Sequence, residues 1–405
     1  MKMIFIKKTN ILQLLTLTLV LGSCNLKNKE EILSDSKLPK DTLPHMEPAS
    51  QKLPRLTAQY INSKKNAIEH FYNRNWPNNS MNGSFLVAQN GQIIFEKYEG
   101  MANFRDERPI TATTPLHLAS VSKVLTATAV LKLIDANKIG LDQKVNTILR
   151  NFPFPEVTVK MLLNHRSGMR NYAYFTDKKD GVWDRHNILT NKDIVNLMAT
   201  KNIGLECRTG TRFAYCNTNY AVLALIIEKA TGLSYEKAMT RMIFKPLGMN
   251  HTFVFNYDRD KDSIVPSYKG NKVEIGKDYL DKIYGDKNIY STPRDLLKFD
   301  LARNAPGFLS PNLLKLVYTP FSNERKGERN YGLGIRMINW ETGQNFYFHN
   351  GWWHGNTSSY VTLQKEHVTI IALSNKYTTK TYQVKKIAPL FGDYPFKLGK
   401  EEKEE

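Results

Sequence analysis

Cysteine is scarce in this chain, with only three among 405 residues, at positions 24, 207 and 216. So few thiols exclude a disulfide-dense scaffold, and the lack of a Cys-x-x-Cys pair argues against a structural zinc site. Cys207 and Cys216 are close enough along the chain for either a disulfide or two buried free thiols, and we expect free thiols. The sequence predicts no metal ion and no cofactor.

Acidic residues are also in short supply, with 38 Asp and Glu against 57 Lys and Arg, which leaves a net charge of +19. Such an excess can indicate a protein that binds nucleic acid. The chain has no long basic run, zinc-knuckle pattern or RNP-like aromatic motif, so we interpret the lysines as a solvated surface and predict no nucleic-acid partner. A hydrophobic content of 41% is sufficient for a large buried core.

The N-terminal apolar run, Ile11 to Leu21, is too short for a permanent membrane span. It follows a lysine-containing start and ends at Leu21-Gly22-Ser23-Cys24, which resembles a bacterial lipoprotein signal. We predict that residues 1–23 are a signal peptide and that Cys24 is lipidated. An ordinary secretion signal is the alternative. The expected location is the bacterial cell envelope, exported and anchored to a membrane through the N-terminal lipid, in the periplasm or on the outer surface.

The rest of the chain divides by composition. Residues 24–54 contain four prolines among charged and small residues and are predicted to be a flexible tether. Residues 55–395 are predicted to be one domain, and residues 396–405 a disordered charged tail. In the domain, an amphipathic helix precedes a hairpin at Asn90-Gly91, helical segments fill the middle, and strands return near the end before a last helical stretch from about Thr378 to Phe391.

This order predicts the α/β (α+β) class. Strands at both ends of the domain are expected to meet in one antiparallel sheet, flanked by helices and interrupted by an inserted all-helical subdomain.

A serine precedes a lysine by three residues at the start of the apolar helix "SVSKVLTATAVLKLID", which is predicted to stop near Gly140. Ser120 and Lys123 would share one face of this helix. A buried lysine there could accept the hydroxyl proton of the serine. The same pattern occurs at Ser34 and at Ser234, but in the tether and at a helix N-cap, respectively.

Two later segments contain polar groups that could assist such a serine. In "FAYCNTNYAVLAL", Tyr215 could act as acid or base and Asn217 could hydrogen-bond an amide or ester; the alternative is a core tyrosine and a helix-capping asparagine. In "FHNGWWHG", His349 could contact Tyr215 or a substrate carboxylate, or be purely structural. Metal binding by His349 and His354 is not expected, because no nearby acidic residue or cysteine completes a site.

Taken in order, Ser120-Val121-Ser122-Lys123, Tyr215-Cys216-Asn217 and His349-Asn350-Gly351 resemble the three motifs of the penicillin-recognising serine hydrolases. The resemblance is greatest to the class C β-lactamase and D-alanyl-D-alanine carboxypeptidase group, and it extends over about residues 60–392. The phrases "LLNHRSGM", "IFKPLGM", "IYSTPRDLLKF" and "YGLGI" also resemble that group. It implies a β-lactamase/transpeptidase-like fold with the active site in a groove between the sheet and the helical region.

The resemblance also implies roles for individual residues. Ser120 would be the acylated nucleophile, Lys123 the proton acceptor and Tyr215 the shuttle that carries a proton to the leaving group. Asn217 would hold the amide of the substrate.

In the third motif, His349 stands where most class C β-lactamases have a lysine. We therefore assign His349 to the catalytic residues together with Ser120, Lys123 and Tyr215. Asn350, Gly351 and Trp352 are assigned to substrate binding, with the N–H groups of Ser120 and Trp352 as the oxyanion hole. The adjacent Trp352 and Trp353 could narrow the groove or supply an aromatic wall. The alternative is that alternation along a strand sends one of them into the core.

These expectations describe an exported serine hydrolase that forms an acyl-enzyme at Ser120. It would hydrolyse an amide or ester, with a small molecule or peptide as substrate, in the manner of carboxypeptidases, D-aminopeptidases or esterases acting on D-amino-acid peptides. The alternatives are a class C-like β-lactamase and a non-catalytic protein that binds cell-wall peptides. An α/β-hydrolase is disfavoured because the chain has no Gly-x-Ser-x-Gly elbow.

Overall fold

The computed structural model describes residues 43–396, except 178, 180, 325 and 326. The predicted signal peptide, Cys24 and the charged tail beyond Phe396 lie outside these residues. Residues 43–54, the described part of the predicted tether, form no helix or strand. Met46 in this segment is nevertheless buried, and its N–H donates to the carbonyl of Met242 at 2.8 Å, so the chain is held against the domain there.

Within the described residues, the strands form one large sheet and three small ones. The strands are β1 (Gly83–Gln89), β2 (Gln92–Glu99), β3 (Met101–Asn103), β4 (Arg108–Pro109), β5 (Leu116–His117), β6 (Phe253–Val254), β7 (Ser267–Tyr268), β8 (Glu274–Ile275), β9 (Ile289–Ser291), β10 (Arg329–Tyr331), β11 (Arg336–Asn339), β12 (Asn345–Trp353), β13 (Asn356–Leu363) and β14 (Val368–Ser374).

The α-helices are α1 (Ala58–Asn75), α2 (Ser122–Asp135), α3 (Val145–Ile148), α4 (Val159–Leu163), α5 (Tyr172–Phe175), α6 (Asn191–Thr200), α7 (Asn217–Thr231), α8 (Tyr235–Met239), α9 (Tyr257–Asp260), α10 (Pro293–Arg303) and α11 (Pro311–Val317). Short 3₁₀ segments occur at Pro77–Asn79, Ala119–Val121 and Lys380–Leu390, and a π-helical turn at Thr240–Phe244. Within the described residues, no helix combines the length and the apolar character that a membrane crossing requires.

The large sheet has the strand order β10-β11-β12-β13-β14-β1-β2, with every pair antiparallel. The predicted hairpin forms β1 and β2, with Asn90 and Gly91 both at positive φ, as a two-residue turn requires. The return of the chain places β14 beside β1. The expectation of one sheet completed by both ends of the domain is therefore confirmed.

Apolar side chains cover both faces of this sheet. One face packs against α1 and the 3₁₀ segment Lys380–Leu390, and its core includes Ile68, Phe85 and Ile370. The other face meets α10 and the helical region between β5 and β10. Helices α2 and α7 contact each other there and are buried over most of their length, which explains why they are apolar all round.

The sequence-based boundaries differ from the structure in three places. Helix α2 ends at Asp135 rather than near Gly140, because Asn137 turns the chain into the left-handed region with φ 54°. The last helical stretch is a 3₁₀ segment containing Pro389, whose nitrogen has no hydrogen to donate. The inserted region is mainly rather than wholly helical, because it also contains the short strands β6–β9.

The two-sided core leads to a test with two isoleucines of the same sheet. Ile370 is 0% exposed and Ile93 is 37% exposed. We expect Ile370→Ala to lower the free energy of unfolding by about 2 to 5 kcal/mol, because it leaves a cavity. Ile93→Ala should lower it by less than about 1 kcal/mol. Urea unfolding followed by circular dichroism measures both, and equal losses would contradict the assigned core.

Candidate active site

Ser120 lies in the 3₁₀ turn that leads into α2, directly after a residue with unusual backbone geometry. Ala119 has φ 46°, a left-handed conformation that costs a non-glycine residue about 1 to 3 kcal/mol. Its N–H donates to Nδ1 of buried His117 at 3.0 Å, and Nε2 of the same imidazole donates to Oδ1 of Asn288 at 2.9 Å. His117 therefore supports the strained turn that presents Ser120.

Lys123 is fully enclosed at 0% exposure, as the sequence predicts for this helix face. Its Nζ lies 3.0 Å from Oγ of Ser120 and donates to the backbone carbonyl of Asp286 at 2.8 Å. The rings of Tyr215 and Tyr220 face the same Nζ at 5.2 and 5.7 Å from their centroids. A lysine with so few degrees of freedom is positioned to exchange a proton with the serine hydroxyl.

The carbonyl that holds Lys123 belongs to a buried network that sequence reasoning missed. The Asp286 carboxylate accepts a hydrogen bond from the Tyr172 hydroxyl at 2.6 Å, and Lys287 Nζ donates to that hydroxyl at 2.8 Å. Burial lowers the pKa of Lys287, against the opposing effect of Asp286. The sequence offers only an Asp-Lys pair before β9 as a signal, and such pairs are usually solvated. This network anchors the segment that positions Lys123.

Tyr215 is half-buried beside Lys123, and two cations act on it. Burial by itself raises the pKa of the Tyr215 phenol, but the charges of Lys123 and Arg336, together with hydrogen bonds to Ser120 and Lys123, bring its pKa below the usual value. The guanidinium carbon of Arg336 lies 4.8 Å from the centroid of the ring. Tyr215 is therefore suited to proton transfer, as the sequence predicts.

A second imidazole, that of His165, packs against Tyr215 with ring centroids 4.4 Å apart and the ring planes tilted by 40°. Nδ1 of His165 accepts hydrogen bonds from the Cys216 N–H at 3.2 Å and from Nδ2 of Asn219 at 3.1 Å. Burial and the charge of Lys123 hold its pKa well below the usual value, so the ring is neutral. In the sequence, its segment "LLNHRSGM" resembles the family but contains no pattern that predicts a role for the histidine.

Asn217 is the first residue of α7, after the extended residue Cys216. Its Oδ1 is buried and has no hydrogen-bond partner. An unsatisfied acceptor of this kind has a free-energy cost, which a substrate N–H could remove. The position supports the predicted contact with a substrate amide, because α7 begins beside Tyr215.

His349 on β12 does not contact Tyr215 or Ser120 through a hydrogen bond. Its Nδ1 donates to the carbonyl of Asn350 at 2.8 Å, so Nε2, 3.2 Å from the Tyr331 hydroxyl, is the acceptor of that group. Burial, with the charges of Arg336 and Lys123, keeps the pKa of His349 well below its usual value. The structure thus places a neutral, enclosed imidazole behind the site, rather than a group that faces solvent.

The rest of the third motif includes Gly351, which lies against the backbone at Ser120. A Cβ on Gly351 would come within 2.8 Å of the Ser120 nitrogen and 2.6 Å of the Leu118 carbonyl oxygen, so only glycine allows β12 to approach the nucleophile. Asn350 accepts a hydrogen bond from Ser359 Oγ at 2.9 Å through its side chain. Trp352 is 60% exposed.

Trp353 faces the interior, as alternation predicts, and its indole N–H donates to Oδ1 of Asp281 at 2.9 Å. Asp278, Asp281 and His354 have side-chain atoms within 4.8 Å of one another. The acidic neighbours of His354 were not anticipated from the sequence. Asp281 already accepts from Nε2 of His354 at 3.0 Å and from the Asp278 N–H at 2.7 Å, so the cluster is a hydrogen-bond network that holds Trp353.

The two cysteines of the domain are free thiols, as expected. Cys216 is buried, whereas Cys207 is half-exposed.

The fold and the grouped serine, lysine and tyrosine define the class of protein. The family model described as Beta-lactamase matches residues 79–389, and the chain belongs to this family of serine hydrolases with the β-lactamase/transpeptidase-like fold.

Three known proteins illustrate what this chain is similar to. A penicillin-binding protein of Bacillus subtilis strain 168 is 29% identical over 338 residues, which are 79% of this chain and 74% of that protein. A teichoic acid D-alanine hydrolase of Staphylococcus aureus is 26% identical over 260 residues, 62% of each chain. The crystal structure of a penicillin-binding protein from Bacillus halodurans superposes with a TM-score of 0.69 at 23% identity, covering 80% of this chain and 99% of that one.

Because of its buried imidazoles, we expect the folded protein to lose stability at acidic pH. Burial lowers the pKa of His117 to about 3, against the hydrogen bond to Asn288. Below about pH 6.5 the unfolded chain gains a proton at this residue that the folded chain does not, so stability falls as the pH falls from 6.5 towards 3. One such residue contributes a slope of about 1.4 kcal/mol per pH unit. We expect His117→Gln to reduce the slope of unfolding free energy between pH 6 and pH 4.

The control is His70→Gln, because the His70 side chain is exposed on α1. Its slope should match that of the wild type in the same urea titrations. A His117→Gln protein that keeps the full wild-type slope would show that this imidazole does not stay neutral in the folded protein.

Proposed function

We propose that the protein is an exported serine hydrolase that forms an acyl-enzyme at Ser120 and cleaves a D-amino-acid ester or amide. One observation carries this proposal. The Ser120 hydroxyl meets enclosed Lys123 at 3.0 Å, and Tyr215, whose pKa is lowered, lies against the same lysine. A nucleophile and a proton-accepting pair are therefore assembled at one point beside β12.

In the proposed reaction, Oγ of Ser120 attacks the substrate carbonyl carbon and its proton passes to the Lys123–Tyr215 pair. The new oxyanion lies between the N–H of Ser120 and the backbone of β12 at Trp352, the expected oxyanion hole. The carbon–nitrogen or carbon–oxygen bond then breaks, and Tyr215 returns the proton to the departing amine or alcohol. Water then attacks the acyl carbonyl carbon and gives a proton to the same pair. The bond between this carbon and Oγ breaks, the pair returns the proton to Oγ of Ser120, and the acid is released.

The relatives and the neutral His349 favour the substrate class. A teichoic acid D-alanine hydrolase and penicillin-binding proteins are similar to this chain, which supports a D-amino-acid acyl group and supports penicillin as an acylating probe. A class C-like β-lactamase is less well supported, because His349 is neutral where most members of that group have lysine. A purely binding role is less well supported too, because the acyl-transfer residues are all present.

Substitution of the nucleophile tests the proposal. Ser120→Ala should abolish the covalent adduct with fluorescent penicillin and hydrolysis of a D-alanyl ester, because no oxygen remains to be acylated. Ser234→Ala is the matched control, since Ser234 and Lys237 repeat the Ser-x-x-Lys spacing at the N-cap of α8. It should lose about 1 kcal/mol of stability but keep its activity. Intact-mass spectrometry detects the adduct, and an adduct on Ser120→Ala would place the nucleophile elsewhere.

Location at the cell envelope is a further part of the proposal and rests on the sequence around Cys24. In a bacterial host fed with labelled palmitate, the full-length wild type should incorporate label and sediment with membranes. Cys24→Ser should remain unlabelled and keep its signal peptide, because the thiol is the acceptor of the lipid. Cys207→Ser, which changes a thiol of the domain, should behave as the wild type. Label on Cys24→Ser, or none on the wild type, would refute lipidation at this residue.

A further inference from the structure

A cavity of about 470 Å³ lies beside the small sheet formed by β5, β9 and β6. Its apolar wall includes Phe253 of β6, Tyr290 of β9 and Ile264, and we call it the Phe253 pocket. The rings of Phe253 and Tyr290 are stacked, with centroids 5.4 Å apart and an angle of 2° between their planes. The residues proposed for acyl transfer do not line this pocket. Its volume and apolar wall are typical of a site for a small molecule.

One cation of the Phe253 pocket has no partner in the protein. Arg108 lines the pocket and is exposed, and within the described part of the chain its guanidinium makes no hydrogen bond or ion pair. The other charged groups of the wall are already paired, because Arg259 donates to Asp260 at 2.5 Å and to Glu236 at 2.8 Å. A guanidinium offers a planar fork of donors that fits a carboxylate. The pocket therefore combines an aromatic wall with one available cation.

The same wall contacts the residue that supports the nucleophile. The rings of Tyr290 and His117 meet edge to face, with centroids 4.9 Å apart and an angle of 81° between their planes. Nδ1 of His117 accepts the N–H of Ala119 at 3.0 Å, and Ala119 is held at φ 46°. Such a backbone conformation persists only where the surrounding contacts maintain it. A ligand packed against Tyr290 therefore restricts the ring that contacts His117, next to the turn that presents Ser120.

We propose that the Phe253 pocket binds a small aromatic carboxylate and that this binding stabilises the turn that presents Ser120. The ring of the ligand packs against Phe253 and Tyr290, and its carboxylate accepts hydrogen bonds from Arg108. The pocket is thus an effector site, separate from the residues that react. Because the ligand binds the closed arrangement of Tyr290 and His117, its binding opposes local opening of the turn. The inference does not depend on the reaction proposed for Ser120.

Matched acids and amides test the binding site. The probes are benzoate, phenylacetate and naphthylacetate, each compared with its primary amide by calorimetry on the wild-type protein. We expect naphthylacetate to bind with a Kd of about 1 mM or tighter, as its size allows. It should bind about two- to tenfold more tightly than its amide, since the cation that holds the carboxylate is exposed to solvent. Arg108→Gln should remove this preference for the acid.

Two further variants serve as controls. Arg105→Gln removes an arginine that pairs with Glu274 at 3.2 Å on the surface, so it controls for net charge and should keep the preference. Phe253→Ala should weaken the acid and the amide alike by about tenfold or more, because part of the aromatic wall is lost. Circular dichroism checks that each variant is folded. Failure of all the acids to bind the wild type, or an unchanged preference in Arg108→Gln, would overturn the inference.

Hydrogen–deuterium exchange measures the effect on the turn without requiring turnover. With naphthylacetate at about ten times its Kd, the amides of residues 119–121 should exchange about three- to tenfold more slowly. The β1–β2 turn at Asn90-Gly91 should be unaffected, and Phe253→Ala should show no slowing at the same ligand concentration. Binding that leaves exchange of residues 119–121 unchanged would refute the effector site. A wild type that slows in this way but forms no adduct with penicillin would contradict the proposed reaction and support the effector site.

Discussion

The candidate site depends on the enclosure of one lysine. Nζ of Lys123 is held between Oγ of Ser120 and the carbonyl of Asp286, and the rings of Tyr215 and Tyr220 face it. Removing a charge from water has a large cost unless hydrogen bonds replace the solvent. The surrounding structure supplies these bonds from α2 and from the segment before β9. This requirement accounts for the buried Asp286–Tyr172–Lys287 network, which fixes the position of that segment.

The geometry of the backbone around Ser120 is equally restricted. Ala119 is held at positive φ, and Gly351 brings β12 to within reach of the Ser120 nitrogen. His117 satisfies the N–H of Ala119 while remaining neutral. Strain of this kind persists only where neighbouring contacts outweigh it. Here the sheet, the 3₁₀ turn and the buried imidazole of His117 together hold the nucleophile against β12.

The charge state of Tyr215 depends on its neighbours in space. The imidazoles of His165 and His349 are neutral, whereas the guanidinium carbon of Arg336 lies 4.8 Å from the centroid of the Tyr215 ring. The charges of Lys123 and Arg336 oppose the effect of burial and bring the pKa of the phenol below its usual value. At the end of β12, Trp353 faces inward and Trp352 is exposed.

By itself, the sequence determined the class of the fold, the hairpin at Asn90-Gly91 and the placement of Ser120 and Lys123 on one buried helix face. These features follow from periodicity and turn chemistry, which act between residues close along the chain. The three motifs also indicated Tyr215, Asn217 and the β12 segment as parts of one site, through their resemblance to a family.

Only the tertiary structure decided the partners of these residues. It joined His349 to Tyr331 instead of Tyr215, and it placed both His165 and Arg336 against the ring of Tyr215. These contacts link residues far apart in sequence, and no local pattern distinguishes an arginine beside a nucleophile from one on the surface. The pKa of a side chain depends on burial and on neighbouring charges in space. Periodicity therefore predicted where the elements lie, whereas three-dimensional packing determined how the site is charged.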